Sequence, residues 1–468
     1  MEVSEGLSQI DNFVEPHQRD AAASLKMTTR RVFIFTLFVF CLSPVSVLSD
    51  GQYSMVLSDS IIHHRSMYLN AYRFPGTVSQ DGRCGASTER ESHSSDTYQL
   101  VRIGENVVYC YPNGGSILSL PFVALMSTVG LRPTYNNGIY NYVGEAKMQR
   151  LIASILMALL ACIVFRTSLL LLDTPTSILV TFGVAFGTQI WSTASRTLWS
   201  HTWLVFLASW VAYFLLRSAH QKSKLHPIIV ATLLSWMYFV RPTGAIAITC
   251  IAVYVFACGR REFLAFVAVG VFWFAGFLIY SWFTFGRLLP KYYVDFRSQW
   301  SQLPTALEGT LLSPSRGLFV FVPAAAFILY LLARYWHHIP CKRIVVVSLG
   351  IIAIHILLIA SWVCWWGGYG YGPRLCTDFV PWLALLAIMG LAARSANAPS
   401  TPRNLEAAIG LFLLAISVVV NGRGAISWAT FRWNNAVDID FHPYRAFDWS
   451  YPQFMAGILP APKYGQDR

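Results

Sequence analysis

From residue 32 onward the chain alternates between long apolar runs and short polar joints, and the apolar positions are continuous instead of recurring every third or fourth residue. A bilayer core about 30 Å thick takes about 20 helical residues. The pattern predicts spans at 32–49, 150–166, 176–194, 201–217, 226–240, 243–258, 263–285, 317–335, 343–364, 379–394 and 404–420. That is an all-α polytopic membrane protein with about eleven transmembrane helices. Two of the spans are short and meet at Arg241-Pro242, which predicts a turn there.

Three stretches break the alternation. Residues 1–30 are polar and end beside Arg30-Arg31, which predicts a cytoplasmic N-terminal tail, with Met27 as an alternative start. The run 32–49 reads as a first span or as a secretory signal peptide; either way the following residues lie outside the cytoplasm. Residues 50–149 form a large first external loop whose one apolar stretch, 116–131, contains Pro121. The polar residues 422–468 read as an external C-terminal tail.

Charge sets the orientation. The clusters Arg30/Arg31, Arg217/Lys222/Lys224, Arg260/Arg261, Arg334/Lys342/Arg343 and Arg394/Arg403 fall on one side only if 116–131 does not cross, and that side is cytoplasmic by the positive-inside rule. The stretch 116–131 is therefore expected to be an interfacial helix in the external loop. Loops 195–200, 286–316 and 365–378, with Arg241, are then external.

Composition narrows the function. The chain is 55% hydrophobic and 12% charged, which excludes a water-soluble fold. Its formal net charge of +12 is scattered between apolar spans and forms no stripe, so nucleic acid is excluded as a partner, whereas anionic membrane lipids and phosphate-bearing substrates fit. Tryptophans and tyrosines at the ends of runs, such as Trp191, Trp199 and Trp203, suit the headgroup region. Nine cysteines show neither CxxC nor Cys/His metal spacing, which supports neither a zinc site nor a thioredoxin-like motif; no cofactor is expected, and a divalent metal is left open. Cys84 and Cys110 share the external loop, where an oxidising compartment permits a disulfide.

Few residues are placed to do chemistry. Asp50 stands at the outer end of the first span, where a carboxylate serves as a general base or is simply a solvated helix end. Asp59 is nine residues further, on the opposite face if 50–60 is helical, and is the weaker substrate-binding candidate. Arg241, Lys291, Arg316 and Arg374 stand in external loops near the membrane, suited to a lipid phosphate or to snorkelling toward headgroups. The stretch from Trp365 to Arg374 combines glycines with aromatic surface, which suits a sugar or lipid-phosphate loop and makes Trp366 and Tyr371 candidates for stacking. His201 faces the same side, either to hydrogen-bond substrate or to pack.

The order of these pieces resembles the GT-C membrane glycosyltransferases, in particular the bacterial relatives of protein O-mannosyltransferases and of the lipid A aminoarabinose transferase. The matching pieces are Ser49-Asp50-Gly51-Gln52-Tyr53, Tyr111-Pro112-Asn113-Gly114-Gly115, Arg150, Trp191 to His201, Arg241-Pro242-Thr243, Ser313-Pro314-Ser315-Arg316-Gly317 and Trp366 to Asp378. The resemblance implies a GT-C type transmembrane domain over 31–421, in a bacterial inner or plasma membrane. It also implies that a sugar on a polyprenyl-phosphate carrier passes to an acceptor protein, lipid or glycan outside, with Asp50 as catalytic residue and Tyr53 among the substrate-binding residues. Here Asp50 is followed by Gly51 and Gln52, without the second acidic residue some branches carry, so the resemblance brings no metal requirement. The alternative class is a transporter or flippase of a lipid-linked or anionic substrate, which predicts ionisable residues inside spans and broken helices.

Overall fold

Long apolar runs satisfy their backbone donors and acceptors internally by coiling, and helices dominate the computed structural model, which describes residues 23–79, 96–397 and 403–462. Helix α1 covers 23–42 and is followed by α2 (Ser54–His64), a sheet of β1 (Thr77–Ser79), β2 (Asp96–Ile103) and β3 (Asn106–Tyr109), and short helices α3 (Gly114–Leu118) and α4 (Leu120–Thr128). The bundle continues through α5 (Tyr142–Ser168), α6 (Thr174–Phe186), α7 (Ser200–His220), α8 (Pro227–Val240), α9 (Gly244–Cys258) and α10 (Arg260–Phe285). After α11 (Lys291–Val294) come α12 (Leu303–Leu312), α13 (Leu318–Phe321), α14 (Ala324–Arg334), α15 (Lys342–Ser361), α16 (Val380–Ala396), α17 (Arg403–Ile426) and α18 (Trp428–Ala436).

Among the described residues six helical stretches are long and apolar enough to cross a membrane: Tyr142–Ser168, Ser200–His220, Arg260–Phe285, Lys342–Ser361, Arg374–Ala396 and Asn404–Ile426. The chain is a helical membrane protein. Helices α6, α8, α9 and α14 are apolar but shorter.

Local chemistry explains where helices start and stop. Asn141 caps α5 by accepting from Gly144 N–H at 2.9 Å, and Asp173 caps α6 through Thr176 N–H at 3.3 Å. The expected span 176–194 is broken: α6 ends at Phe186, and the chain passes Gly187 before a π-helical turn, Ile190–Ala194. The run 317–335 breaks between α13 and α14 because Pro323 has no N–H to donate. Arg241-Pro242 separates α8 from α9, and Arg241 is extended.

The chain leaves α1 at residue 43 and re-enters the bundle through α5 at the same end. Arg150, in α5, donates to the Cys41 carbonyl and, at 2.9 Å, to that of Ser43. Arg196 donates to Ser43 O at 2.7 Å and to Phe40 O at 2.6 Å, so two arginines cap the last carbonyls of α1. This excursion contains a three-stranded sheet in addition to its helices. Strands β2 and β3 pair antiparallel through Leu100 opposite Tyr109 and Ile103 opposite Asn106, and Gly104 turns the hairpin at φ 59°. Its core joins Val56, Leu57, Leu69, Leu100, Val108 and Tyr109. Buried Glu145 of α5 ties it to the bundle by accepting from Tyr53 N–H and Met55 N–H, both at 2.9 Å, and from Tyr140 O–H at 2.7 Å.

Candidate functional site

Loops from distant parts of the chain converge beyond the end of α1. Asp50 lies in a turn before α2, with its side chain 37% exposed. One carboxylate oxygen stands 3.5 Å from Arg374 Nη1; the other is 3.4 Å from both Tyr111 O–H and Ser49 Oγ. The Asp50 carbonyl accepts from Tyr109 O–H at 2.7 Å. The hairpin therefore presents tyrosines to Asp50. Burial, and then the Asp50 charge, push the hydroxyls of Tyr98 and Tyr111 above the ordinary tyrosine range, so both remain protonated donors.

Arg374 reaches this point from the glycine-rich loop between α15 and α16. Gly367 adopts φ 73°, which directs its carbonyl to accept from Arg374 Nη2 at 2.7 Å. The guanidinium carbon lies 4.3 Å from the Trp199 ring centroid, while Nε is buried and without a partner. Arg374 is thus held on two sides, by the Gly367 carbonyl and the Trp199 ring, while keeping donors toward Asp50.

Four residues later, at the end of the 3-10 turn Arg374–Phe379, Asp378 is 1% exposed. It gathers His201 Nδ1 at 2.6 Å, Arg241 Nε at 2.8 Å and Thr243 Oγ1 at 2.8 Å, with His355 Nε2 at 3.4 Å. Arg241 also donates through Nη1 to Ser200 Oγ at 2.7 Å. Tyr292 of α11 packs on Tyr111 with ring centroids 5.1 Å apart. Burial raises its hydroxyl, opposed by Arg241 and Arg374 and reinforced by Asp50 and Asp378, so Tyr292 stands within the field of both charge pairs.

An aromatic cleft of about 280 Å³ runs from Tyr111 between α8 and α10, lined by Asn113, Trp236, Phe239, Phe277 and Tyr280 among others. Asn113 Nδ2 donates to Tyr280 O–H at 2.5 Å. Across the cleft, α10 turns Leu264, Val271, Phe272, Ile279 and Phe283 outward, a surface that suits lipid chains.

The expected site residues divide into those that meet here and those that do not. Asp50, Arg374, Arg241 and His201 meet, and Lys291 lies half-buried beside Tyr292. Arg316 is turned inward: its guanidinium donates to Trp366 O, Ser315 O, Gln453 Oε1, Gly368 O and Asn434 Oδ1, leaving no donor for a phosphate. It clamps the C-terminal segment onto the bundle instead. Tyr53 is a core residue with its ring against Phe74 and Tyr140, 2% exposed. Asp59 faces away from Asp50 and accepts from Tyr72 O–H at 2.9 Å. Trp366 donates through Nε1 to Asp440 at 2.8 Å, and Tyr371 O–H donates to Val420 O at 2.6 Å, so both spend their polar atoms on packing.

Tyr98, Tyr109, Tyr111, Trp199, Tyr292 and Asp378 escaped sequence reasoning as site residues. Asp378 carried a signal, as a lone carboxylate beside an apolar run. Cys110 is disulfide-bonded; its expected partner, Cys84, lies outside the described residues. Among the described residues no group of three or more His, Cys, Asp or Glu side chains is placed to hold a metal ion. Comparison with protein-family models and with curated proteins finds no significant match.

Proposed function

We propose that the chain is a GT-C type glycosyltransferase that moves a sugar from a polyprenyl-phosphate carrier to an acceptor hydroxyl or amine on the outer side of the membrane. One observation carries this reading: a carboxylate and an arginine at 3.5 Å meet beside Tyr111, which also lines an aromatic cleft between membrane helices. The cleft suits an apolar carrier chain, Arg374 and Arg241 suit its phosphate, and Asp50 suits the acceptor.

In this mechanism Asp50 takes the acceptor proton as the acceptor oxygen or nitrogen attacks the anomeric carbon. The bond from that carbon to the phosphate oxygen breaks, its electron pair leaves with the phosphate, and a single displacement inverts the centre. Lys291, beside Tyr292, supplies a further cation near the same point.

The course of the helices supports eleven crossings. Helices α1, α6, α8, α10, α15 and α17 run toward the site end, and α5, α7, α9, α14 and α16 run away from it, the α13–α14 pair counting as one. On this reading 116–131 stays at the outer interface.

A transporter is the second reading, favoured by the helix breaks at Gly187 and Pro323. Against it, the buried carboxylates of Glu145 and Asp378 are saturated by fixed partners. Turnover of a polyprenyl-phosphate sugar by purified protein separates the two. Asp50→Asn, at matched protein level, is expected to lose about 10²–10⁴ in rate. Near-normal turnover by this variant would remove Asp50 as the base, and absence of any sugar transfer by the wild type would remove the transferase reading.

A further inference from the structure

We infer that Arg374 changes partners during turnover, pairing with Asp50 in the resting protein and with the departing phosphate once Asp50 has accepted a proton. The inference rests on the transferase reading and deepens it.

Its starting point is the setting of Arg374. The side chain is 10% exposed and is fixed by the Gly367 carbonyl and the Trp199 ring. Among the described residues Asp50 is the one carboxylate within ion-pair distance of it. Arg241, the other arginine of the site, is held differently: its Nε is committed to buried Asp378, which has no route to a substrate proton. Only the Arg374 pair therefore contains a partner whose charge the reaction itself removes.

The charges then balance step by step. The resting pair is Asp50 carboxylate with Arg374 guanidinium, and the carrier phosphate, esterified on both sides, bears one negative charge. As the acceptor attacks, its proton moves to Asp50, which becomes neutral. The bond between the anomeric carbon and the phosphate oxygen breaks, and the carrier phosphate gains a second negative charge. Asp50 loses one negative charge as the phosphate gains one, beside the same guanidinium. Charge-assisted hydrogen bonds are about twice as strong as neutral ones, so Arg374 follows the charge. The interaction strengthens only as the transition state is approached, which is the kind that accelerates a reaction. The separation of 3.5 Å and the exposure of Asp50 fit a pair loose enough to exchange.

The test is equilibrium binding of a polyprenyl monophosphate, the leaving group itself, to the full-length protein in nanodiscs at neutral pH. Asp50→Asn removes the competing carboxylate while keeping its shape, so this variant, though inactive, is expected to bind the monophosphate about tenfold more tightly than the wild type. The gain must vanish in the Asp50→Asn/Arg374→Gln double variant, which completes a double-mutant cycle. Equal affinity of wild type and Asp50→Asn would overturn the exchange while leaving the transferase reading in place. A gain that survives loss of Arg374 would also overturn it, as a general effect of removing negative charge. Failure of folded wild type to bind the monophosphate at all would overturn the transferase reading and the exchange together.

Discussion

A carboxylate buried to 1% exposure needs its donors already in place, and Asp378 has three of them from two elements: His201 at the start of α7, and Arg241 and Thr243 in the turn before α9. Asp378→Ala would strand the Arg241 guanidinium without its counter-charge, and breaking a buried pair in this way costs about 3–5 kcal/mol. The melting temperature in detergent is expected to fall clearly for Asp378→Ala and to stay nearly unchanged for Asp50→Asn, whose site is open to water; equal melting of both variants would contradict the anchoring role. At this scale the sequence marks charges well, because Asp50, Arg241 and Arg374 stand out against apolar runs. It does not reveal what surrounds them. Arg316 carries the same signature as Arg374, yet its donors go to Trp366 O, Gly368 O and side chains near the C-terminus, contacts set by chain folding over 50 to 137 residues. Tyr111 stands out only as part of the Tyr111 to Gly115 piece and Tyr292 not at all, until the hairpin and α11 bring them together, with ring centroids 5.1 Å apart.

Between residue and fold, apolar runs announce helices but not their breaks. The joint at Arg241-Pro242 was legible because proline lacks a donor, whereas the π-helical turn at Ile190–Ala194 follows Gly187-Thr188-Gln189 with no proline to announce it. The sheet in the first loop was not foreseen, although Gly104-Glu105 between the β-branched runs is a short hairpin signal. The hairpin matters to function because its tyrosines reach Asp50, and their titration makes it testable. Tyr98, Tyr109 and Tyr111 are held protonated above the ordinary tyrosine range, chiefly by burial. An unfolded chain ionises its tyrosines near pH 10, and the folded state does not, so the folded state binds more protons above that point. The sign follows: this contribution is fully present below pH 10 and is lost as pH rises beyond it. Melting temperature is expected to be insensitive to these groups up to pH 9.5 and to fall between about pH 10 and 11.5, with tyrosinate absorbance appearing together with unfolding and not before it. Tyrosinate from all these groups in still-folded protein would show that they are not sealed.

At the scale of the whole molecule, the loops that carry the site converge although they are scattered from Asp50 to Asp378, and the basic clusters on which the expected orientation rests lie away from them. The far end has its own polar lock, in which Arg394 Nε donates to Glu406 at 2.6 Å and Tyr335 O–H donates to the same carboxylate at 3.1 Å. This lock ties the ends of α14 and α16 to the start of α17, whereas the end of α17 returns to the site side, where Tyr371 O–H reaches the Val420 carbonyl and Arg423 donates to Phe454 O and Ala456 O. An odd number of crossings follows if Arg30/Arg31 lie opposite the C-terminal segment, and a crossing by 116–131 would break that parity. Two cysteines introduced at exposed positions decide the matter: Ser223→Cys, beside the basic joint between α7 and α8, and Ser450→Cys, in the C-terminal segment. A membrane-impermeant maleimide, located by peptide mass, is expected to label Ser450→Cys in intact cells and Ser223→Cys only after permeabilisation. Labelling of both in intact cells would place the two loops on one side and refute the eleven-crossing topology. Labelling of Ser223→Cys alone would invert it and put Asp50 and Arg374 in the cytoplasm, removing the outer-side reaction while leaving the site itself intact.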